Sequence, residues 1–377
     1  MKIAIFITLF FLTTYIHSQN VKVTDYDVPI SFASNFRLNG FWNWAQVGDS
    51  VTGNTLNGNL IYKRFYSSLP FAWFLNVDAI GGKDAGKGSY DFKVDASVRK
   101  YIWNNRNWFL FSRTTAERTN DFNQVASDLT IGGGFGRYID ATALAKAVRI
   151  EEHLLKENII TDHLPKETMI NIAKIIERED EYKNLYGETY ETQWLEDIEN
   201  EIRLSGMLIG YNIGAIGTLR IRQVLFGIYE KVNQRFYGWD ISLGTLFTVT
   251  TRDKSKAGAP NFSISGRYSF PLSWRTQIDF TAEAFTPVDS SFFGRLTGNA
   301  NIDFIYELSN RINLVTNYKL QIFRPYREKL KLDNILSLSF LYYIENNIYL
   351  GINSSLEKYA DSPTRISNSL TLTYNLF

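Results

Sequence analysis

The sequence predicts an all-β transmembrane β-barrel of about 14 antiparallel strands, interrupted by one α-helical insert. Three observations predict it. Long stretches alternate apolar and polar residues with a period of two. The connections between them alternate between tight and long. One internal segment changes to a helical apolar period.

The chain opens with Lys2, then residues 3–12, apolar except for Thr8. That run is too short to span a bilayer and suits the core of an export signal. Ser18 is a small residue suited to the position before cleavage, so residues 1–18 are expected to be removed. Residues 19–35 read as an N-terminal segment leading to the first strand, and no later run of ~20 apolar residues follows.

Fourteen strand candidates follow: 36–47, 55–66, 70–81, 89–103, 107–117, 124–139, 237–251, 260–271, 273–286, 293–308, 310–323, 330–344, 347–359 and 364–377. They place strands 1–6 in residues 36–139 and strands 7–14 in residues 237–377. Such lengths suit strands tilted through a membrane better than the ~5–6 residues common in soluble sheets. Odd-to-even connections are polar and longer, beginning with 48–54 and 82–88; even-to-odd ones are tight. Short turns on one side and longer loops on the other fit a membrane barrel with both termini in the periplasm.

The two faces are chemically distinct. Trp274, Thr276, Ile278, Phe280 and Ala282 alternate with Arg275, Gln277, Asp279, Thr281 and Glu283. A charge on the lipid face costs ~2–4 kcal/mol near the midplane, so the polar phase is expected to point inward. The lumen-lining candidates are therefore Lys93, Asp95, Arg99, Arg267, Arg275, Asp279, Glu283, Asn301, Asp303 and Lys319, with Arg64 read onto the same face. Their mixed signs argue against strong ion selectivity. Aromatics gather near the tight turns: Tyr66, Phe71, Trp103, Trp108, Tyr138, Trp239, Phe270 and Trp274 form the expected girdle at the membrane–water boundary.

With its export signal, alternating strands, absence of Cys and terminal Phe377, the chain resembles bacterial outer-membrane β-barrel proteins. The Ser18-Gln19-Asn20 junction and the Asn- and Tyr-rich strands are similar to those of Bacteroidota proteins. The resemblance implies an outer-membrane location in a Gram-negative cell. One departure stands out: the apolar frame Leu370, Leu372, Tyr374, Leu376 is one residue out of phase with Phe377.

Residues 140–236 break the alternation and form the expected, mainly helical, periplasmic insert. Leu144, Ala147, Val148, Leu154 and Leu155 recur at helical spacing. Pro165 suits the first turn of a second helix carrying Met169, Ile172, Ala173 and Ile176. Trp194, Leu195, Ile198 and Ile202 mark a third. From 140 to 206 there are 16 Asp+Glu against 8 Lys+Arg, a net of −8, read as a solvated acidic surface. The glycines at 206, 210, 214 and 217 suit either a closely packed helix or two further strands at 207–215 and 218–229, which would raise the count to sixteen.

Composition removes several functions. The net charge of +1 gives no reason to expect nucleic acid. Without Cys there is no thiolate metal site and no Cys nucleophile. Of three His, His17 lies in the signal, and His153 and His163 read as a solvated pair in the insert, leaving the strands without a His base. Gly132-Gly133-Gly134-Phe135-Gly136 lacks the Lys-Ser/Thr of a phosphate loop and reads as a strand bend or a close approach by the insert. No enzyme activity, cofactor or metal is expected. The expectation is a porin-like channel or transporter whose insert acts as plug or docking domain. The alternative is a non-channel barrel subunit of an assembly, secretion or other multiprotein complex. Its partners would be outer-membrane lipid and a periplasmic or outer-membrane protein docked on 140–236.

Overall fold

The computed structural model describes residues 20–374, apart from 48, 69, 85–86, 104–106, 229, 291 and 346–347. The export signal with Ser18, and Phe377, lie outside the described residues. The strands are β1 (Ser31–Val47), β2 (Ser50–Ser67), β3 (Phe71–Asp84), β4 (Lys87–Tyr101), β5 (Trp108–Thr119) and β6 (Ala126–Asp140). After the insert come β7 (Phe236–Thr250), β8 (Asn261–Pro271), β9 (Thr276–Pro287), β10 (Leu296–Ser309), β11 (Ile312–Arg324), β12 (Lys331–Glu345), β13 (Ile348–Lys358) and β14 (Arg365–Tyr374). They form one 14-stranded sheet in which each strand pairs with the next, antiparallel throughout. This is a β-barrel architecture with a helical insert between β6 and β7.

Register separates two faces across the sheet. One row runs Trp239, Tyr268, Phe280, Ile302, Tyr318, Leu336, Leu356 and Ile366, each opposite the next. The adjoining row in the other phase runs Asp240, Arg267, Thr281, Asn301, Lys319, Ile335, Glu357 and Arg365. Directly opposed residues share a face, so a one-residue slip anywhere would mix the two. The apolar row is well exposed: Trp239, Tyr268, Phe280, Ile302, Leu336, Leu356 and Ile366 all keep large accessible areas.

The first and third hairpins depart from the expected loop lengths. The strands run on through the polar stretches, leaving only residues 48–49 and 85–86 as connections. Asn54 pairs opposite Trp44, and the Trp42 indole N–H donates to the Asn54 side-chain oxygen at 3.1 Å. A polar side chain does not end a strand whose backbone stays paired and whose face is in water. The tight-versus-long pattern therefore belongs to the later hairpins.

The insert comprises α1 (Thr142–Lys156), α2 (Lys166–Glu177), α3 (Glu179–Tyr186), α4 (Tyr190–Leu204) and α5 (Gly214–Phe226). The expected apolar sets are buried: Leu144, Ala147, Val148 and Leu154; Met169, Ile172, Ala173 and Ile176; Trp194, Ile198 and Ile202. Each large buried side chain contributes about 1.5–3 kcal/mol. Trp194 is fully buried and also satisfies its polar end, its indole N–H donating to the Ile175 carbonyl at 2.8 Å. The 207–215 and 218–229 strand pair is not formed. Ile213, Gly217, Ile221 and Val224 are buried at helical spacing in and beside α5, and Gly206, with φ +73°, closes α4 instead. Gly217 is needed for packing: a Cβ there would lie 2.8 Å from Ile213 and 3.3 Å from Ile159. The N-terminal segment is not a plain lead-in. Val21, Val23 and Tyr26 are buried in the same core as the helices.

Candidate functional site: an inner cavity with a helical floor

The insert lies across the tight-turn end of the sheet. From α1, Arg149 reaches Glu307 at the end of β10 at 2.6 Å and Glu230 at 3.1 Å. Arg235, which leads into β7 and is fully buried, reaches the same Glu307 at 2.7 Å and donates to the Trp274 carbonyl at 2.9 Å. Asn233 completes the Glu307 shell and bonds Asn313 of β11. The helix α3 packs against β1. Burial raises the carboxyl of Glu230, but His153 at 2.7 Å and Arg149 more than offset it and hold it below the usual range. Nearby, burial pushes the Glu151 carboxyl up although it accepts from His163 and from the Leu164 N–H. The two histidines are therefore not a solvated pair: His153 is buried against Glu230 and His163 is half-buried against Glu151.

Beside these helices the polar face lines a partly open cavity of about 780 Å³. Val28, Asp140 and Glu177 bound it on the insert side, and strands β2 to β9 supply the walls. Small side chains, Ser97, Thr130, Ser242, Ser263 and Ser265, leave the space open. The charged lining is fixed in place. Asp240, buried, takes Arg267 Nε at 3.0 Å and Arg99 Nη1 at 3.1 Å. The Arg99 guanidinium lies 4.4 Å from the Phe109 ring centre, and that of Arg267 lies 4.3 Å from that of Tyr138. Asp95 is paired with Arg113, Nε to Oδ2 at 3.0 Å. Arg137 lies 4.6 Å from the Tyr101 ring centre and donates to Asn107. Burial and the neighbouring Asp140 push the Glu177 carboxyl up to about 7, against a smaller pull from Lys146. Its carboxyl opens onto the cavity while protein surrounds it.

Of the ten predicted inward residues, nine lie in strands, on the polar phase of the register. The cavity brings together Asp95, Arg99, Arg267 and Glu283. Lys93, Asn301, Asp303 and Lys319 share the face but not the cavity lining. Asp279 is buried among Ser269 and Gln277 and faces no open space. Arg275 is not in a strand: it sits in the 272–275 turn, reaching Glu152 of α1 at 3.3 Å and Asn310. Arg64 is on the other face, opposite Leu75, with its guanidinium about 6 Å from the Phe32 and Trp73 rings.

Among the aromatics near the turns, Trp103, Trp108, Trp239 and Phe270 are exposed. Trp108 and Trp239 flank Phe135 at 5.0 and 5.7 Å, and Tyr66 and Phe71 pack at 6.1 Å. Two do not join them. Tyr138 faces inward, its hydroxyl on Ser269 and its ring under Arg267. Trp274 turns to the insert core, its indole N–H donating to the Val21 carbonyl at 3.2 Å. Gly132 and Gly134 do not accommodate the insert. A Cβ at Gly132 would meet the Phe111 ring and the Leu243 carbonyl, and one at Gly134 the Phe109 ring. Gly136 (φ +115°) and Gly238 (φ +90°) lie opposite or next to Asp240 and Tyr138 where the chain leaves for the insert. The sequence reading missed Asp240, Arg113, Glu177 and the Glu307 cluster. Only Asp240 carried a local signal, as a polar residue between Trp239 and Ile241.

No family model matches the chain, and no curated protein matches it. Among solved structures it is similar to the CymD monoaromatic hydrocarbon channel, at 8% identity, with 94% of this chain and 90% of that chain covered and a TM-score of 0.28.

Proposed function

We propose that the protein is an outer-membrane channel or transporter whose helical insert stoppers the periplasmic mouth. The observation that carries this is the division of the sheet into a mainly apolar and a mainly polar face, the polar one lining a cavity that reaches Glu177 of the insert. An exposed row of Trp, Tyr, Phe, Ile and Leu suits lipid, and the row beside it, rich in Asp, Arg, Asn and Lys, suits water. Side chains alone need not fill a barrel of fourteen strands, so a solute path is available once the floor moves. Glu307 is the pin of that floor. Glu307→Ala leaves Arg149 and Arg235 without their shared carboxylate, at a cost of about 3–5 kcal/mol. In planar bilayers the purified wild-type chain is expected to give small or rare conductance steps and the variant larger or more frequent ones. Absence of steps from both overturns the channel reading.

A second reading, a docking subunit of a larger complex, is favoured by exposed apolar side chains on the insert: Leu204, Ile209, Tyr211, Ile216 and Leu219. A photo-crosslinker at Tyr211 that captures a single protein in whole cells, with capture lost in Leu219→Asp, supports it over a free channel.

A further inference from the structure

We propose that the cavity binds a small linear zwitterion, its carboxylate on Arg99 and Arg267 and its ammonium on Asp140 and Glu177. This rests on the reading that solutes enter the barrel.

The charge around the cavity is segregated. Arg99 and Arg267 share one carboxylate, Asp240, so that group carries one surplus positive charge. Asp240 is buried while both guanidinium groups remain partly open, and both line the cavity. The cation that acts on Glu177 is Lys146, so Asp140 and Glu177 taken with it carry one surplus negative charge when both acids are ionised. Thr142 donates to Asp140 through its N–H at 2.9 Å and its hydroxyl, which fixes that carboxylate without neutralising it. The other charged walls sum to zero: Asp95 pairs with Arg113, and Arg137 and Glu283, of opposite sign, are held by the neutral Asn107 and Asn299. A lone anion or a lone cation compensates one pole and leaves the other. A molecule with both charges compensates the two together, in a partly enclosed space where charge interactions are stronger than in bulk water.

The spacing limits the ligand. Tyr138 lies under Arg267 and precedes Asp140 by two residues of β6, a step of about 7 Å along a strand. An extended chain spans at most ~3.3–3.6 Å per residue, so two or three residues separate charged ends by that distance. The guanidinium groups are held by aromatic rings and by Asp240, so little ordering remains to be done on binding. Glu177 supplies a pH signature. Its carboxyl titrates near 7 because burial and Asp140 oppose its charge, while Lys146 and the hydroxyl of Tyr26 favour it. An ammonium group at that position binds the ionised form, so affinity rises as pH passes upward through that value.

Isothermal titration of the full-length protein in detergent, with alanine, trialanine, N-acetyl-trialanine and trialanine amide, tests the assignment. At about pH 8 trialanine is expected to bind, and blocking either end to weaken binding about tenfold or more. Alanine binding as tightly as trialanine identifies a single amino acid as the better-fitting zwitterion and keeps the site. Affinity for trialanine is expected to fall between about pH 8 and pH 6 in the wild type, and in Glu177→Gln, an isosteric change at the cavity surface, to rise by no more than about twofold as the peptide's amine, at ~7.7–8.0, becomes fully protonated. Equal binding of free and blocked peptides, or no binding of alanine and trialanine, overturns the site. Conductance of the same preparation separates the two readings. Steps without peptide binding overturn the site and keep the channel. Binding without steps in either the wild type or Glu307→Ala keeps the site and overturns the channel.

Discussion

Ile302 and Asn299 sit on the same strand, β10, in opposite phases. Ile302 is exposed between Phe280 and Tyr318, whereas Asn299 lies opposite Glu283 and donates to it at 3.2 Å. Ile302→Arg puts a guanidinium on the apolar face, at about 2–4 kcal/mol if it lies near the bilayer midplane. Asn299→Arg puts the same group beside a carboxylate. The first is expected to reduce the fraction of heat-modifiable, folded protein in a gel-shift assay, and the second to leave it near wild type. Equal loss at both positions would mean that the faces are misassigned. The phase of such residues was legible because alternation is a local property. The fate of His153 was not: its partner Glu230 is 77 residues away, and nothing near position 153 announces it. Tyr138 and Trp274 misled for a related reason. Proximity to a turn says that a ring is near the boundary, but not which way it points.

Among elements, α2 is the one whose stability has a predictable response to pH. Glu177 ends it, with its carboxyl pushed up to about 7 by burial and by Asp140. An acid whose folded value lies above its unfolded one takes up a proton on folding in the interval between them. Its contribution to stability is therefore full below about pH 4.5 and lost as pH rises toward 7. Glu177→Gln keeps the neutral form at every pH. The variant is expected to match the wild type in thermal unfolding of the insert near about pH 5 and to exceed it near about pH 8, followed by the helical circular-dichroism signal. A gap that does not widen with pH would remove Glu177 as the cause. The helices α1, α2 and α4 were legible from apolar residues at helical spacing, and the strands from alternation. The segment that became α5 was ambiguous because four glycines weaken helix and strand propensity alike. Its choice was made by Ile221, Val224 and Leu225 finding the core of the insert, a tertiary fact. The strand extensions across 50–54 were hidden by the habit of reading polar runs as loops.

For the whole molecule, the side on which the insert lies follows from its place after an even-numbered strand, together with the tight turns. A cysteine at Glu188, exposed in the turn between α3 and α4, is expected to resist a membrane-impermeant maleimide on intact cells and to react once the outer membrane is opened. A cysteine at Lys256, exposed in the β7–β8 connection, is expected to label in both states. Labelling at 188 on intact cells would invert the topology. The number of strands and the position of the insert were legible at this scale. The ties between the insert and the sheet were not, because they join residues far apart in the chain.

Those contacts set an order of events during folding. Arg149 meets Glu307 across 158 residues, Tyr237 meets Tyr26 across 211 and Trp274 meets Val21 across 253. Pairings so distant in the chain close large loops and form slowly. A sheet formed only as far as β9 leaves the buried arginines of the insert without their shared acceptor, Glu307. The helices can form locally but cannot settle until β10 is in place, so seating of the insert reports that the far half of the sheet has been built.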